Sequence, residues 1–231
     1  MGGVVTIHEL AAYPRLVHGF STLELGSVDR EHGLQTRTAF AQELGIDPDT
    51  LTAVGAIHGA DVAAVDQPTP VVEDVDGLVT DRPGVSLFAA FADCHPVVVY
   101  DPVRNAIGLA HAGWRGTVAG VSRNLLAALT REFGSQPQEV LVGLGPGVCG
   151  RCYEVDPDVA SRFPAATIKR RANGKFELDV GRANRLQLEE AGIPPDNIHE
   201  SGLCTRETAW LPSHRRDHDG RRFGTIVALR G

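Results

Sequence analysis

Short apolar segments are the feature of this sequence that most limits its fold. Residues 85–92 are apolar almost throughout, and residues 96–100 and 106–110 form two further apolar runs separated by only five residues. Runs of this length predict buried strands, and the short connection predicts that the second and third pair as a hairpin. Residues 140–144 and 225–229 have the same character and predict two more buried strands.

Three other segments carry helical signals, at residues 37–44, 117–133 and 183–191. Apolar residues recur with the helical period in 117–133, and a glycine follows each segment at the point where a helix would end. Hairpins interspersed with helices predict an α+β fold, with mixed sheets packed against helices in layers. No stretch rich in Gly, Ser and Pro divides the chain, so we expect residues 1–231 to form a single domain.

Composition narrows the class of partner. The chain has 22 Lys and Arg against 29 Asp and Glu, a formal net charge of -7, which argues against a basic face for nucleic acid or an anionic membrane. There is no apolar run long enough to span a bilayer, and we do not expect the first residues to act as a secretory leader. The 4 cysteines are too few for a disulfide scaffold. We therefore expect a cytoplasmic protein that binds neither nucleic acid nor membranes. The sequence does not indicate its oligomeric state.

Reactive side chains concentrate in three short segments that contain His58, Cys94 and His111. Two imidazoles and one thiolate form a three-ligand set that leaves a fourth tetrahedral position for water or substrate, as in a catalytic zinc site. Their separations along the chain match no short-range metal motif. A hydrogen-bonded structural histidine, or a small buried cysteine, is therefore the alternative interpretation of each residue.

The hairpin bears on which residue faces His111. If Tyr100 pairs with Ala106, the residue opposite His111 is His95, and strict alternation places His95 rather than Cys94 on the same face. The proline after His95 cannot donate to the ladder, and a bulge there would change this alternation. The spacing alone leaves both residues as candidates.

Weaker candidates lie further along the chain. Cys149 and Cys152 have the CxxC spacing of redox and zinc motifs, but no second CxxC accompanies them, which favours a simple turn. Gly145 and Gly147 follow an apolar strand and could present backbone amides to an anion, or only form a tight turn. Arg216 belongs to an arginine pair that could hold an anionic group or lie in solvent.

Ten segments match a known family in order, and together they cover roughly residues 18–229. The most specific are Ala-Asp-Cys-His-Pro-Val at 92–97 and His-Ala-Gly-Trp-Arg-Gly-Thr at 111–117. The others lie at 18–22, 58–62, 76–81, 100–102, 145–147, 152–155, 204–205 and 213–217. On these segments the chain resembles the YfiH family, the laccase-domain or polyphenol-oxidase-like proteins.

The resemblance implies a fold shared with the catalytic domain of cytotoxic necrotizing factor. It also implies a metal, zinc or alternatively copper, held by His58, Cys94 and His111, which favours Cys94 over His95. The implied activity is on purine nucleosides, by phosphorolysis, by deamination of adenosine or by both, with nucleoside and phosphate as the small-molecule partners.

Around these ligands we expect acid–base and substrate-binding groups. Cys94 and His111 would act in catalysis through the metal, and Asp93 and Glu154 are the candidate acids and bases. Phosphate would be held by Arg115 and by the amides of the glycine-rich turn. Arg115 is counted among the candidate catalytic residues, and the candidate substrate-binding residues are Ser21, Gly145, Gly147 and Arg216.

The chain also departs from the family pattern. Leu23 stands where relatives usually have arginine, Ala56 stands where they usually have glutamine, and a stretch rich in Asn and Gly is largely missing. Loss of an arginine predicts weak phosphate binding, and hence poor phosphorolysis relative to deamination, unless Arg115 or Arg216 supplies the charge.

Two other chemistries stay open. One is a metal-free hydrolase with Cys94 as nucleophile and His111 as base, acting on a cell-wall precursor amide. The other is a copper-dependent polyphenol oxidase.

Overall fold

The computed structural model describes residues 2–29 and 33–231. The strands in these residues are β1 (Val4–Val5), β2 (Leu16–Ser21), β3 (Leu51–Gly55), β4 (Val62–Ala64), β5 (Val71–Glu73), β6 (Gly77–Thr80), β7 (Ser86–Phe91), β8 (His95–Asp101), β9 (Ala106–Ala112), β10 (Leu141–Leu144), β11 (Glu154–Val155), β12 (Ile168–Arg170), β13 (Phe176–Leu178), β14 (Ile198–Glu200) and β15 (Phe223–Leu229). The α-helices are α1 (His8–Ala11), α2 (Leu34–Glu43), α3 (Trp114–Ala119), α4 (Val121–Phe133), α5 (Pro157–Ala160), α6 (Val180–Glu190) and α7 (His214–Asp217).

Two six-stranded mixed sheets form the centre of the fold. The first sheet has the order β1-β2-β15-β7-β3-β5, and its β7, β3 and β5 run parallel. The second sheet has the order β14-β10-β8-β9-β6-β4, with parallel pairs at its two edges. A small antiparallel sheet, β11-β13-β12, lies beside them.

The two large sheets pack face to face, with helices on their outer faces. The layer between the sheets contains Phe91 and Phe223 from the first sheet and Leu109 from the second. Helix α4 covers the outer face of the second sheet, and α2 covers the outer face of the first through Phe40. The architecture is therefore α+β with mixed sheets packed against helices, as the sequence predicts.

Burial on both faces explains why the central strands are apolar at successive positions. In β8, Val98 and Tyr100 belong to the core between the sheets, whereas Val97 and Val99 pack towards α4. Alternate side chains thus enter two different cores, and no position of the strand faces solvent. All five predicted strands are confirmed, with ends shifted by one or two residues.

The pairing assumed for the hairpin is wrong by one residue. Asp101, not Tyr100, pairs with Ala106, so the loop contains four residues. The Asp101 carboxylate accepts hydrogen bonds from the backbone N–H groups of Val103 and Arg104, at 2.8 and 3.0 Å, which tightens the turn. With this register, Pro96 rather than His95 is the partner of His111.

The predicted helix at residues 117–133 is two helices. The chain turns helical earlier, at Trp114, and breaks at Gly120, which has the left-handed φ of 87°. Glycine adopts this conformation without steric cost, so it ends α3 and begins α4. Because of the break, Val118 lies outside the apolar face of α4 and is 37% exposed. The other two predicted helices correspond to α2 and α6.

No helix within residues 2–29 and 33–231 combines the length and apolar character that a membrane span requires. That residues 1–231 form a single domain stays a prediction.

Candidate active site

His58, Cys94 and His111 meet at one edge of the layer between the two large sheets. His58 lies in the connection from β3 of the first sheet to β4 of the second, and Cys94 in the bend from β7 to β8. His111 is the penultimate residue of β9. One ligand atom from each of the three residues lies within 4.8 Å of the others. Residues far apart in sequence thus become a compact donor set.

Strand register explains why Cys94 rather than His95 joins this set. Pro96 is the Cα partner of His111, so positions of even number in β8 share the face of His111. Cys94 follows the same alternation and packs against the core between the sheets. His95 points the other way, with its ring nitrogens 3.4 Å from the carbonyl oxygens of Gly145 and Val148.

Asp76 holds the segment that carries His58. This carboxylate is fully buried and accepts hydrogen bonds from three consecutive backbone N–H groups, those of Ile57, His58 and Gly59, at 3.2, 2.9 and 2.6 Å. His58 has a left-handed φ of 64°, which is unfavourable for a residue with a side chain. The three hydrogen bonds therefore fix a strained turn that presents an exposed imidazole to the site.

Asp76 also faces the second histidine. Its Oδ1 lies 3.4 Å from Nδ1 of His111, and its backbone oxygen accepts a 2.7 Å hydrogen bond from the His111 N–H. Nδ1 is buried and makes no close hydrogen bond within the described chain, so the carboxylate is the group that orients it. A carboxylate behind a histidine is the usual support of a metal-ligating imidazole.

Cys94 and His111 shift each other's pKa values. Burial raises the pKa of the Cys94 thiol, but the charge of His111 and hydrogen bonds from His111 and His58 outweigh it and lower this pKa to about 6. Burial lowers the pKa of His111, but the Cys94 thiolate and the Asp76 carboxylate raise it to about 9. In the metal-free chain these opposite shifts favour a thiolate beside an imidazolium at neutral pH.

Gly113 leaves room for this arrangement. A Cβ atom at this position would lie 2.8 Å from the Cys94 sulfur and 3.3 Å from the His58 ring. Any side chain here would press against two of the three donor residues. The glycine of the His-Ala-Gly-Trp segment is thus required by its close approach to Cys94 and His58 rather than by a turn.

The three residues open into a cavity of about 770 Å³, within the usual size of a small-molecule site. Four arginines line it: Arg37, Arg115, Arg215 and Arg222. The Arg115 guanidinium lies 4.4 Å from the ring centre of Trp114, and that of Arg215 lies 4.2 Å from the ring centre of Tyr153. The cavity therefore combines metal-binding side chains with positive charge supported on aromatic rings.

Comparison with known proteins now identifies the family. Residues 18–229 match the family described as multi-copper polyphenol oxidoreductase laccase. The chain belongs to this laccase-like family. The resemblance to YfiH proteins is confirmed by the crystal structure of a YfiH protein from Bacillus licheniformis, which has a TM-score of 0.89 and 28% identity and covers 100% of this chain and 97% of that one.

Two proteins similar to this chain carry names that state an activity. A purine nucleoside phosphorylase from Streptomyces coelicolor is 38% identical over 211 residues, covering 88% of this chain and 86% of the relative. An adenosine deaminase from an unknown prokaryotic organism, RL5, is 32% identical over 212 residues, covering 84% and 80%.

Of the other residues that the sequence of this laccase-like chain predicts for the site, Asp93 and Arg115 line the cavity. Asp93 is buried with a left-handed φ of 83°. One of its carboxylate oxygens accepts a 2.6 Å hydrogen bond from the Thr205 hydroxyl, and the other a 2.8 Å bond from the Arg215 N–H. Both oxygens are thus engaged, which favours a positioning role beside Cys94 over proton transfer.

Glu154 and Ser21 lie away from the main cavity. The Glu154 carboxylate accepts hydrogen bonds from Arg171 and Asn173 at 3.0 and 3.1 Å, and it lines a different depression. The Ser21 hydroxyl is buried and accepts a 2.8 Å hydrogen bond from the Gly224 N–H. The structure brings neither side chain to the His58 cluster.

The glycine-rich turn does not offer its amides to an anion. The Gly145 N–H donates to the carbonyl of Pro96 at 2.9 Å, and the Gly147 N–H donates to the carbonyl of Leu203 at 3.2 Å. A Cβ atom on Gly147 would lie 2.4 Å from the His95 ring. These glycines permit close packing instead of binding phosphate.

Arg216 is likewise occupied within the chain. Its guanidinium donates to the carbonyls of Thr205 and Leu211 and to the Asp217 carboxylate, each at 2.7 Å. It fastens the loop before α7, whereas its neighbour Arg215 enters the cavity.

Sequence reasoning assigned no role to Asp76 or Tyr153, and it considered Arg215 only as the partner of Arg216 in an arginine pair. All three lie in segments that match the family, which was the available signal. Their roles depend on contacts across the sandwich that spacing does not reveal.

Proposed function

We propose that this chain is a zinc-dependent enzyme that cleaves the N-glycosidic bond of purine nucleosides with phosphate. The observation that carries the proposal is one cavity that joins a His/Cys/His donor set to arginines able to hold an anion. The relative from Streptomyces coelicolor named purine nucleoside phosphorylase supports the reaction class.

The donor set fits zinc. Two imidazoles and a thiolate are the ligands that a catalytic zinc prefers, and three protein ligands leave one position open. The buried Nδ1 of His111 faces Asp76, so its other ring nitrogen is the one available to a metal. Because residue 113 is glycine, no side chain presses on the Cys94 sulfur or the His58 ring at this point. When bound, zinc would supply Lewis-acid chemistry at this end of the cavity.

Arg115 and Arg215 are the proposed phosphate-holding residues. Guanidinium groups bind phosphate oxygens through paired, charge-assisted hydrogen bonds. The indole of Trp114 and the phenol of Tyr153 support the two guanidinium groups from behind, which limits their motion. These arginines would supply the charge that Leu23 lacks, so the missing family arginine would not make phosphorolysis poor relative to deamination.

In the proposed reaction a phosphate oxygen attacks C1′ of the ribose, and the bond from C1′ to the purine nitrogen breaks. The purine leaves with the bonding electron pair and takes up a proton, giving the free base and a pentose 1-phosphate. Arg115 and Arg215 would hold the attacking phosphate in place. Asp93 would position Arg215 through its backbone N–H.

The test is product analysis with adenosine and inosine over a phosphate titration. Zinc-loaded protein should release free base and pentose 1-phosphate in equal amounts, and Arg215→Ala should raise the phosphate KM by roughly 10- to 100-fold, as expected for one charge-assisted hydrogen bond. Arg162→Ala, at an exposed position outside the cavity, is the matched control. Absence of phosphate-dependent cleavage in zinc-loaded protein would refute the proposal.

Deamination of adenosine is the second candidate, supported by the relative named adenosine deaminase. Its product is inosine, formed without phosphate, so the same titration separates the two activities. Inosine formation at a rate unaffected by phosphate and by Arg215→Ala would favour deamination.

The thiolate–imidazolium pair of Cys94 and His111 also keeps the metal-free hydrolase in view. Removal of metal by a chelator distinguishes the two. The proposed enzyme loses activity and recovers it with zinc, whereas a cysteine hydrolase would stay active without metal.

A further inference from the structure

A second group of metal-binding side chains lies apart from the His58 cluster. Cys149 and Cys152 follow β10, and Cys204 and Glu207 follow β14. One ligand atom from each of the four residues lies within 4.8 Å of the others. The CxxC pair, which has no evident partner in the sequence, thus acquires a third thiol and a carboxylate through the fold.

Contacts within the group already orient its donors. The Cys149 N–H donates to the sulfur of Cys204 at 3.3 Å, and the Cys152 thiol donates to Oε1 of Glu207 at 3.3 Å. The Arg151 guanidinium also donates to the Glu207 carboxylate, with its Nε 2.7 Å from Oε1. The carboxylate is therefore held against the thiols by charge-assisted hydrogen bonds.

We propose that Cys149, Cys152, Cys204 and Glu207 form a second, structural zinc site. Four protein ligands of this kind close a tetrahedral site and leave no open position, which is typical of structural rather than catalytic zinc. With Zn–S bonds of about 2.3 Å, a tetrahedral ion holds its sulfurs roughly 3.8 Å apart. The three sulfurs, which lie within 4.8 Å of one another, need to contract by only about 1 Å at most to reach this separation.

An odd number of thiols argues for a metal over a disulfide, because any disulfide here would leave one cysteine unpaired. Binding of Zn²⁺ would release up to three protons from the thiols to the solvent, with no change of oxidation state. The resulting site would carry a net charge of about -2, which Arg151 beside it partly offsets.

The site would join two loops that form the wall of the main cavity. Val148 and Tyr153, on either side of the CxxC turn, line that cavity. Thr205, next to Cys204, donates to Asp93 beside Cys94. A zinc ion would fix these loops relative to each other, and so hold Tyr153 and Asp93 in place without touching substrate.

The experiment measures metal content in variants that isolate each site. Reduced protein is loaded with excess zinc, freed of unbound metal and analysed for zinc per chain. The Cys94→Ser variant should retain one zinc, and the Cys94→Ser/Cys204→Ser double variant none. With Co²⁺ in place of zinc, the Cys94→Ser protein should show a thiolate-to-cobalt charge-transfer band of the intensity given by three sulfurs.

The Glu207→Gln variant keeps the size of the side chain, so it tests the site even if the cysteine variants misfold. Built in the Cys94→Ser protein, it should weaken zinc binding by at least about tenfold, whereas Glu190→Gln, at an exposed position outside the group, should leave it unchanged. Failure of reduced Cys94→Ser protein to bind zinc would overturn the proposal, as would a cobalt spectrum without three thiolates. These readouts do not depend on nucleoside turnover, so they are independent of the function proposed above.

Discussion

Replacement of Asp76 by Asn tests how the candidate active site is organised. The two oxygens of this carboxylate accept three backbone N–H groups, those of Ile57, His58 and Gly59, and one oxygen also faces His111. An asparagine has the same size but a single acceptor oxygen. Whichever way its amide turns, at least one buried N–H meets another donor.

The magnitude follows from these contacts. One unpaired buried N–H costs about 1–3 kcal/mol, and the remaining hydrogen bonds lose the help of the negative charge. We therefore expect the Asp76→Asn protein to lose about 2–4 kcal/mol of its free energy of unfolding. Because the strained turn of His58 and the orientation of His111 both depend on Asp76, zinc affinity at the His58, Cys94 and His111 site should fall about 10- to 100-fold.

The assay is competition with a chromophoric chelator, beside urea unfolding of the metal-free proteins. A Cys204→Ser background removes one ligand of the proposed second site, so that only the site of His58, Cys94 and His111 is titrated. Asp66→Asn, at an exposed position, is the control of equal charge change. Zinc affinity within twofold of the parent in Asp76→Asn would show that the buried carboxylate does not organise the site.

Three further predictions follow from the register, the packing and the buried histidine. Cys94→Ala should abolish zinc binding at the first site, whereas His95→Ala should leave it nearly intact; metal analysis of the two proteins decides, and the reverse result would contradict the strand register. Gly113→Ala should also lose this zinc while keeping a native circular dichroism spectrum, and full metal occupancy would refute the packing argument. Burial lowers the pKa of His18 from 6.5 to about 4, and its ring accepts a 2.9 Å hydrogen bond from the Ile7 N–H. Below pH 6.5 the unfolded chain therefore binds a proton at His18 that the folded chain does not bind. The contribution of His18 to the free energy of unfolding is complete above pH 6.5 and is lost as the pH falls towards 4, by about 3 kcal/mol in total. His18→Gln should flatten this loss in urea unfolding measured between pH 7 and 4, and an unchanged slope would exclude His18 as its source.

Local patterns predicted the elements well where one signal dominated. The buried strands were found because both of their faces enter a core, so their apolar runs are continuous. The single helix predicted at residues 117–133 was wrong because Gly120 stops it, although the apolar spacing continues on the far side.

The sequence pattern did not predict the strand register or the contacts between side chains that lie far apart in the chain. Asp101 rather than Tyr100 pairs with Ala106 in the hairpin. This difference of one residue places Cys94 instead of His95 on the face of His111. The family resemblance favoured Cys94, whereas alternation along an assumed pairing favoured His95. The partners of Cys149 and Cys152 come from 55 residues away in the chain, and no local spacing predicts them.

The stacking of Phe91 on His111 links the core to the site. Phe91 belongs to the first sheet and His111 to the second, and their ring centres lie 5.1 Å apart with the planes at 28°. Phe91 also stacks on Phe223, and the centres of these two rings lie 5.6 Å apart. The imidazole therefore takes its position from this column of rings as well as from Asp76. Substitutions of Phe91 or Phe223 should therefore alter metal binding at His111, and the effect should grow with the tilt that they cause in the imidazole.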